Sequence, residues 1–200
     1  MLTRRNSTLR QRERERAVGC KVYVISTGGT FEKSWDPIKE QFAFQQGSIV
    51  EHLLRISYYG SEPRVNVLRL VDSLHMSHED RAAINKAIED CKHDRIVIVH
   101  GTSKMVDTAE ELKRTFPDKT IVLTGALKPY RYDATEAAFN LGGAMIAAQT
   151  LPVGTYIVIH GKVIPGELAE KNPQTGQFSK RKNCPKRSER KSSSKRKTSD

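Results

Sequence analysis

The sequence is poor in cysteine, in aromatic side chains and in long apolar runs, and each shortage excludes something. Cys20, Cys91 and Cys184 are odd in number and scattered, which rules out a disulfide framework and makes a reducing, intracellular compartment the default. No window approaches the roughly 18–20 unbroken apolar residues of a membrane span. The Arg-rich start, MLTRRNSTLRQRERERAVG, has no apolar central stretch and is not a secretory signal. Glu13 and Glu15 count against an organelle presequence, which avoids acids. At 37% hydrophobic and 6% aromatic, the chain falls below the roughly 45–50% apolar share of an ordinary domain, a range that also counts Gly. Part of it therefore lies outside any core. Repeats of 20–50 residues are absent too, and with them a solenoid.

Basic charge is plentiful but unevenly placed. Residues 1–17 hold six Arg against two Glu, and residues 179–200 hold ten Lys or Arg against two acids. Of the net charge of +11, the body between them keeps −1. A nucleic-acid-binding domain carries its positive patch on the folded part, so this balance argues against one. The tail alternates Ser with Lys or Arg and has almost nothing to bury, so it is expected to be disordered. The reading is thus a basic disordered segment at 1–19, one domain at 20–178, and a basic disordered tail at 179–200.

Within the domain, strands and helices alternate. KVYVIST (21–27), RVNVLRLV (64–71), RIVIVH (95–100), TIVLTG (120–125) and GTYIVIHG (154–161) read as strands, and glycine then permits a hairpin-like return through KVIPG. The continuous apolar runs suit parallel strands covered on both faces. Ser77, with Glu79 and Asp80 in the next turn, starts a helix that runs through Cys91. Val106–Phe116 and Ala134–Ala148 are helical as well, the latter with small residues that allow close packing. The fold class is α/β: three layers, a mainly parallel sheet and helices on both faces.

The functional signal lies in the turns at the strand ends. These are Thr27-Gly28-Gly29-Thr30, Asp72-Ser73, His100-Gly101-Thr102-Ser103 and Thr124-Gly125-Ala126. Ligands of open parallel sheets bind at the carboxyl ends of the strands, and all four turns fall on that edge. Any one of them is an ordinary turn; four together suggest a site for a small polar, anionic molecule. G-x-G-x-x-G and G-x-x-x-x-G-K-[ST] are absent, so a nucleotide fingerprint is missing. His75 and His78, with His100 and His160, find no Cys or acid to complete a ligand set, so no metal is expected. No G-x-S-x-G elbow exists, and any nucleophile is a threonine.

At these residues the chain resembles the bacterial-type L-asparaginases, over about Lys21–Phe178 of their N-terminal domain. The resemblance rests on Thr27-Gly28-Gly29-Thr30, His100-Gly101-Thr102, the TGALKP segment at 124–129 with its helix, and Lys171 in GELAEKN. It is closest to short, single-domain asparaginase-like proteins; the family's smaller C-terminal domain has no counterpart in the sequence. The resemblance implies hydrolysis of a carboxamide through a threonine acyl-enzyme, without a cofactor. It puts the two catalytic threonines on Thr30 and Thr102, and the lysine that activates the second on Lys171. It gives Ser73 the substrate's α-carboxylate, Gly29 and Thr102 the oxyanion, and Ala126 a pocket position.

The departures concern the activators. Where the family writes HGTDTM this chain has HGTSKM, so Ser103 stands in place of the family's substrate-binding acid. Leu74 replaces a polar amide, and the family tyrosine falls on Phe42 or Phe44, which have no hydroxyl. Lys104 brings a positive charge that is expected to depress Lys171 and repel an ammonium substrate. An anionic or neutral amide is therefore expected rather than free asparagine. The alternative is a binding domain of the same fold that has lost turnover. A homodimer is expected by analogy with the family. Lys180-Arg181-Lys182 and Lys195-Arg196-Lys197 resemble nuclear-import or nucleic-acid clusters, but the simpler reading is a solubilising tail on a cytoplasmic protein.

Overall fold

The computed structural model describes residues 21–57 and 65–181. In chain order the elements are β1 (Tyr23–Gly28), β2 (Lys33–Asp36), β3 (Gln41–Phe44), α1 (Ile49–Ile56), β4 (Val65–Val71), α2 (His78–Asp90), β5 (Arg95–Val99), α3 (Met105–Thr115), β6 (Thr120–Thr124), α4 (Ala137–Thr150), β7 (Gly154–Ile159), β8 (Lys162–Pro165), β9 (Ala169–Lys171) and β10 (Phe178–Lys180). The main sheet runs β4-β1-β5-β6-β7-β8, parallel up to β7 and closed by antiparallel β8. The β7–β8 return is a two-residue turn in which His160 and Gly161 both take positive φ, 54° and 71°. That is the type I′ geometry favoured by two-residue hairpins.

Alternation along the strands divides the core by side-chain size. Val24, Val97, Val99, Val122 and Val158 face α1 and α4, where Ala137, Ala144 and Ala148 let the helix sit close to the sheet. Ile25, Ile96, Ile98, Ile121, Leu123 and Ile157 face α2 and α3, against Ile84, Ile88, Met105 and Leu112. Both faces of β5 and β6 are buried, as their unbroken apolar runs require.

The helices start where their polar neighbours stop them. Ser77 and Asp80 form a reciprocal capping box on α2. Helix α4 begins at Ala137 rather than Ala134, because the Thr135 hydroxyl accepts the Ala137 N–H at 3.2 Å. The folded body also continues past the expected boundary. Ser179 and Lys180 pair in β10 with β9, and Arg181 Nη2 donates to Glu110 Oε1 of α3 at 2.7 Å. The disorder expected for residues 1–19 and for the rest of the tail falls outside the described residues. No described helix is long and apolar enough to cross a membrane.

Candidate active site

The ends of β4, β1, β5 and β6 are neighbours, so their turns share one edge of the sheet. They touch backbone to backbone. Gly29 has φ 70°, and a Cβ there would lie 2.5 Å from the Cα of Gly101; a Cβ on Gly101 would lie 2.5 Å from Ser73 Oγ. Only glycine fits at both positions, and the result is that the β1, β5 and β4 turns form one surface.

The hydroxyls on this edge divide into two groups. Thr27 is buried and donates to the Val99 carbonyl at 3.1 Å, and Thr124 donates to Asn140 O at 3.4 Å. These two serve the scaffold. Thr30, half-buried, opens the 3₁₀ turn Thr30–Glu32 immediately beyond Gly29. Thr102 is 8% exposed, and Lys171 Nζ donates to its Oγ1 at 2.9 Å across 69 residues of chain. Lys171 reaches it from the end of β9, with its ammonium 5.9 Å from the centre of the Phe178 ring. Burial holds the Lys171 amine below the usual lysine range, and the Asp72 carboxylate opposes that shift.

Ser73 is buried, and its Oγ accepts the N–H groups of Ser103 at 3.2 Å and Lys104 at 3.3 Å. It therefore fastens the loop that carries Thr102 and starts α3. Ser103 itself is exposed, while Ala126 is buried beside the Gly125 carbonyl that Asn140 of α4 holds at 2.9 Å. Of the seven expected site residues, hydrogen bonds join Thr102 to Lys171 and Ser73 to the Ser103 N–H; Gly29 abuts Gly101, which in turn abuts Ser73, and Thr30 and Ala126 lie on the adjoining turns.

Two expectations change. The Gly29 N–H donates to the Val71 carbonyl at 3.0 Å, so it is not free to meet an oxyanion. Lys104 pairs with Asp107 at 3.3 Å in the open, and the lowering of Lys171 comes from burial rather than from Lys104. The rings proposed for the family tyrosine belong to an aromatic cluster. Phe42 meets Trp35 and Tyr132 edge-on, at 5.4 and 5.3 Å, and Phe44 lies under the Lys33 ammonium at 5.6 Å.

Three further residues shape the site. Asp72 caps the turn Ser73–His75 through Leu74 N at 3.2 Å and binds Lys33 Nζ at 2.9 Å. Burial pushes its carboxyl up, but the Lys33 and Leu74 hydrogen bonds outweigh this and leave it below the ordinary carboxylate range. Lys33 thereby ties the strand after Thr30 to the turn of Ser73. Glu32, fully buried, accepts from Ser26 Oγ at 2.6 Å, Ser48 Oγ at 2.8 Å and Ile49 N at 2.6 Å, fixing the start of α1 beside the Thr30 turn. Nothing in the sequence marks Glu32, whereas the adjacency of Asp72 to Ser73 was the available signal for that residue.

His100 is excluded from the chemistry. Its Nδ1–H donates to Gly101 O at 2.8 Å, burial pushes its pKa down to about 4, and the neutral ring then leaves Nε2 to accept from Thr108 at 3.2 Å. Among the described residues, no three His, Cys, Asp or Glu side chains converge as a metal site.

The asparaginase N-terminal family matches residues 21–183. A glutamyl-tRNA(Gln) amidotransferase subunit of Aeropyrum pernix is 28% identical over 153 residues, 71% of this chain and 35% of that protein. L-asparaginase 2 of Escherichia coli is 29% identical over 168 residues, 77% of this chain and 47% of its own. In fold, the thermostable L-asparaginase of Thermococcus kodakarensis superposes with a TM-score of 0.68 at 24% identity, over 80% of this chain and 50% of that one. L-asparaginase I of Vibrio cholerae gives 0.68 at 23%, over 81% and 52%. The chain thus spans about half or less of the relatives it matches, and it belongs to the asparaginase family through their N-terminal domain.

Proposed function

We propose that this chain is an asparaginase-like amidohydrolase that hydrolyses the side-chain amide of asparagine or a related small amide through a threonine nucleophile, with altered or weakened activity. The observation that carries this is the 2.9 Å bond between Lys171 Nζ and Thr102 Oγ1, made by an amine whose pKa burial has lowered. A neutral Lys171 accepts the Thr102 proton as Oγ1 attacks the amide carbon. The Thr102 N–H meets the oxyanion, since the Gly29, Ser103 and Lys104 N–H groups are already bonded within the protein. The proton then passes to the leaving nitrogen, ammonia departs, and water cleaves the threonyl ester with Lys171 again as base. Thr30 supplies the second hydroxyl from the β1 turn, and Ser73, whose Oγ accepts from Ser103 and Lys104, has its O–H to offer a substrate carboxylate.

Ser103 sets the specificity in this reading. A carboxylate there would pair with an ammonium group, and Asp72, next to Ser73, is already bound to Lys33. The favoured substrate is an amide without a free ammonium group. Charged hydrogen bonds contribute about 1.5–3 kcal/mol, or one to two decades in rate or affinity. Ser103→Asp combined with Lys104→Thr therefore raises asparagine hydrolysis at least about tenfold. The measurement is ammonia release from a panel of small amides, with Thr30→Ala and Thr102→Ala as controls. Efficient hydrolysis of asparagine by the natural chain, with no gain in the double variant, defeats this account of the pocket. The second reading, a binding domain without turnover, is favoured by the same missing carboxylate and predicts ligand binding but no ammonia from any amide.

A further inference from the structure

Lys171 is the group on which the proposed hydrolysis turns, and among the described residues no carboxylate pairs with it. Asp72, the acid whose charge reaches it, is held by Lys33 at 2.9 Å. Ser103 is exposed and uncharged. What stands beside the amine instead is Phe178. It faces Lys171 directly across the antiparallel β9–β10 pair, so the two side chains rise from the same face of the ribbon. Lys171 Nζ lies over the ring, 5.9 Å from its centre, while donating to Thr102 Oγ1 at 2.9 Å. The ring is fixed on several sides. Phe178 is fully buried with Ile159, Ile164 and Ala169 in the isoleucine-side core. His160 meets it edge-on at 6.4 Å, and the Lys162 ammonium binds its carbonyl at 3.0 Å. The turn that returns the chain to β10 closes through Asn172, whose N–H donates to Gln177 O and whose carbonyl accepts the Gly176 N–H, both at 2.8 Å.

We infer that Phe178 is a positioning residue for Lys171: its ring face holds the amine on Thr102 Oγ1 and steadies the ammonium that forms when the Thr102 proton is taken up. The inference rests on the reading of Lys171 as the base. In that reading the proton passes from Oγ1 to Nζ and on to the leaving nitrogen, while the ring makes and breaks no bond. A buried aromatic face beside an amine has two opposing effects. It excludes water, which disfavours the ammonium, and it presents its negative π face, which favours it. An aliphatic side chain would do only the first. The ring thus keeps Lys171 dry enough to be neutral before the attack, yet gives its cation a partner afterwards, with no countercharge to hold the proton back.

The test replaces Phe178 in the full chain by phenylalanines carrying one, two and three ring fluorines, which keep the shape of the ring and drain its negative face in steps. The Lys171 pKa is read from the pH dependence of its acetylation by acetic anhydride, followed by mass spectrometry, so no turnover is needed. It is expected to fall with each fluorine, by about one pH unit at three. Lys162, bound to the Phe178 carbonyl rather than to the ring, should not move, and the circular dichroism spectrum should stay unchanged. A Lys171 pKa that stays constant across the series, or that rises, overturns the inference. A falling pKa with no ammonia from any amide, or with a pH–rate profile that does not follow it, defeats the reading of Lys171 as a base and leaves the hold of Phe178 on the amine established.

Discussion

At the scale of single residues, the proposed hydrolysis depends on which groups carry protons. If Lys171 is the base it must be neutral, so the rate is expected to rise with pH through the pKa of Lys171, which burial holds below the ordinary lysine value. Asp72 opposes that lowering. Asp72→Asn keeps an oxygen to cap Leu74 but removes the charge, so the rising limb of the pH–rate profile moves to lower pH; a limb that stays in place shows that Asp72 does not act on the base. His100 titrates with the opposite consequence, on stability. Its folded pKa of about 4 lies below the 6.5 of an unperturbed ring, so between those values the unfolded chain binds the extra proton. The contribution, about 3 kcal/mol, is complete above pH 6.5 and is lost as the pH falls towards 4. Urea midpoints measured at pH 7 and pH 5 should differ in the natural chain, and the difference should shrink in His100→Gln.

At the scale of elements, what was legible in the sequence is what local pattern dictates. The apolar runs of β5 and β6, the Ser77–Asp80 cap and the glycine return from β7 to β8 need nothing from distant residues to be recognised. The four strand-end turns could be assigned to one edge because parallel strands leave no other place for them. Helix α1 and the β2–β3 hairpin were not legible. The hairpin is held by Trp35 opposite Phe42, a contact between strands of four residues each. Helix α1 has only eight residues, and its start depends on Glu32, a carboxylate 17 positions before Ile49. An isolated helix of that length is marginal in water. Removing the carboxylate leaves the Ile49 N–H and the hydroxyls of Ser26 and Ser48 without their common acceptor. Glu32→Ala should therefore lower stability by about 2–3 kcal/mol in urea unfolding, with Glu32→Gln recovering part of it. If Glu32→Ala is neutral, α1 is anchored by its apolar face alone. The same helix start borders the Thr30 turn, so the variant should also reduce any turnover that depends on Thr30.

At the scale of the whole molecule, the net charge of +11 and the pI of about 9.7 describe the ends and not the body. Residues 21–181, with Lys180 and Arg181 included, carry only +1. Those two cations lie in or beside β10, and Arg181 is neutralised by Glu110. Attraction of polyanions is thus expected from residues 182–200 and from the first 17, through charge alone. Charge-only contacts release counterions, so binding to single-stranded RNA should weaken with salt at a slope of about 0.7 per phosphate contacted. A chain lacking residues 182–200 should keep any ammonia-release activity, because the Thr102–Lys171 pair lies within residues 21–181. It should retain less RNA at low salt and become less soluble near neutral pH, where its net charge is smaller. An RNA affinity that persists in the truncated chain at physiological salt would point to the six arginines of residues 1–17 or to a basic surface on the body. One that persists in the full chain alone, at salt high enough to abolish counterion-release binding, would make the tail a recognition segment rather than a solubilising one.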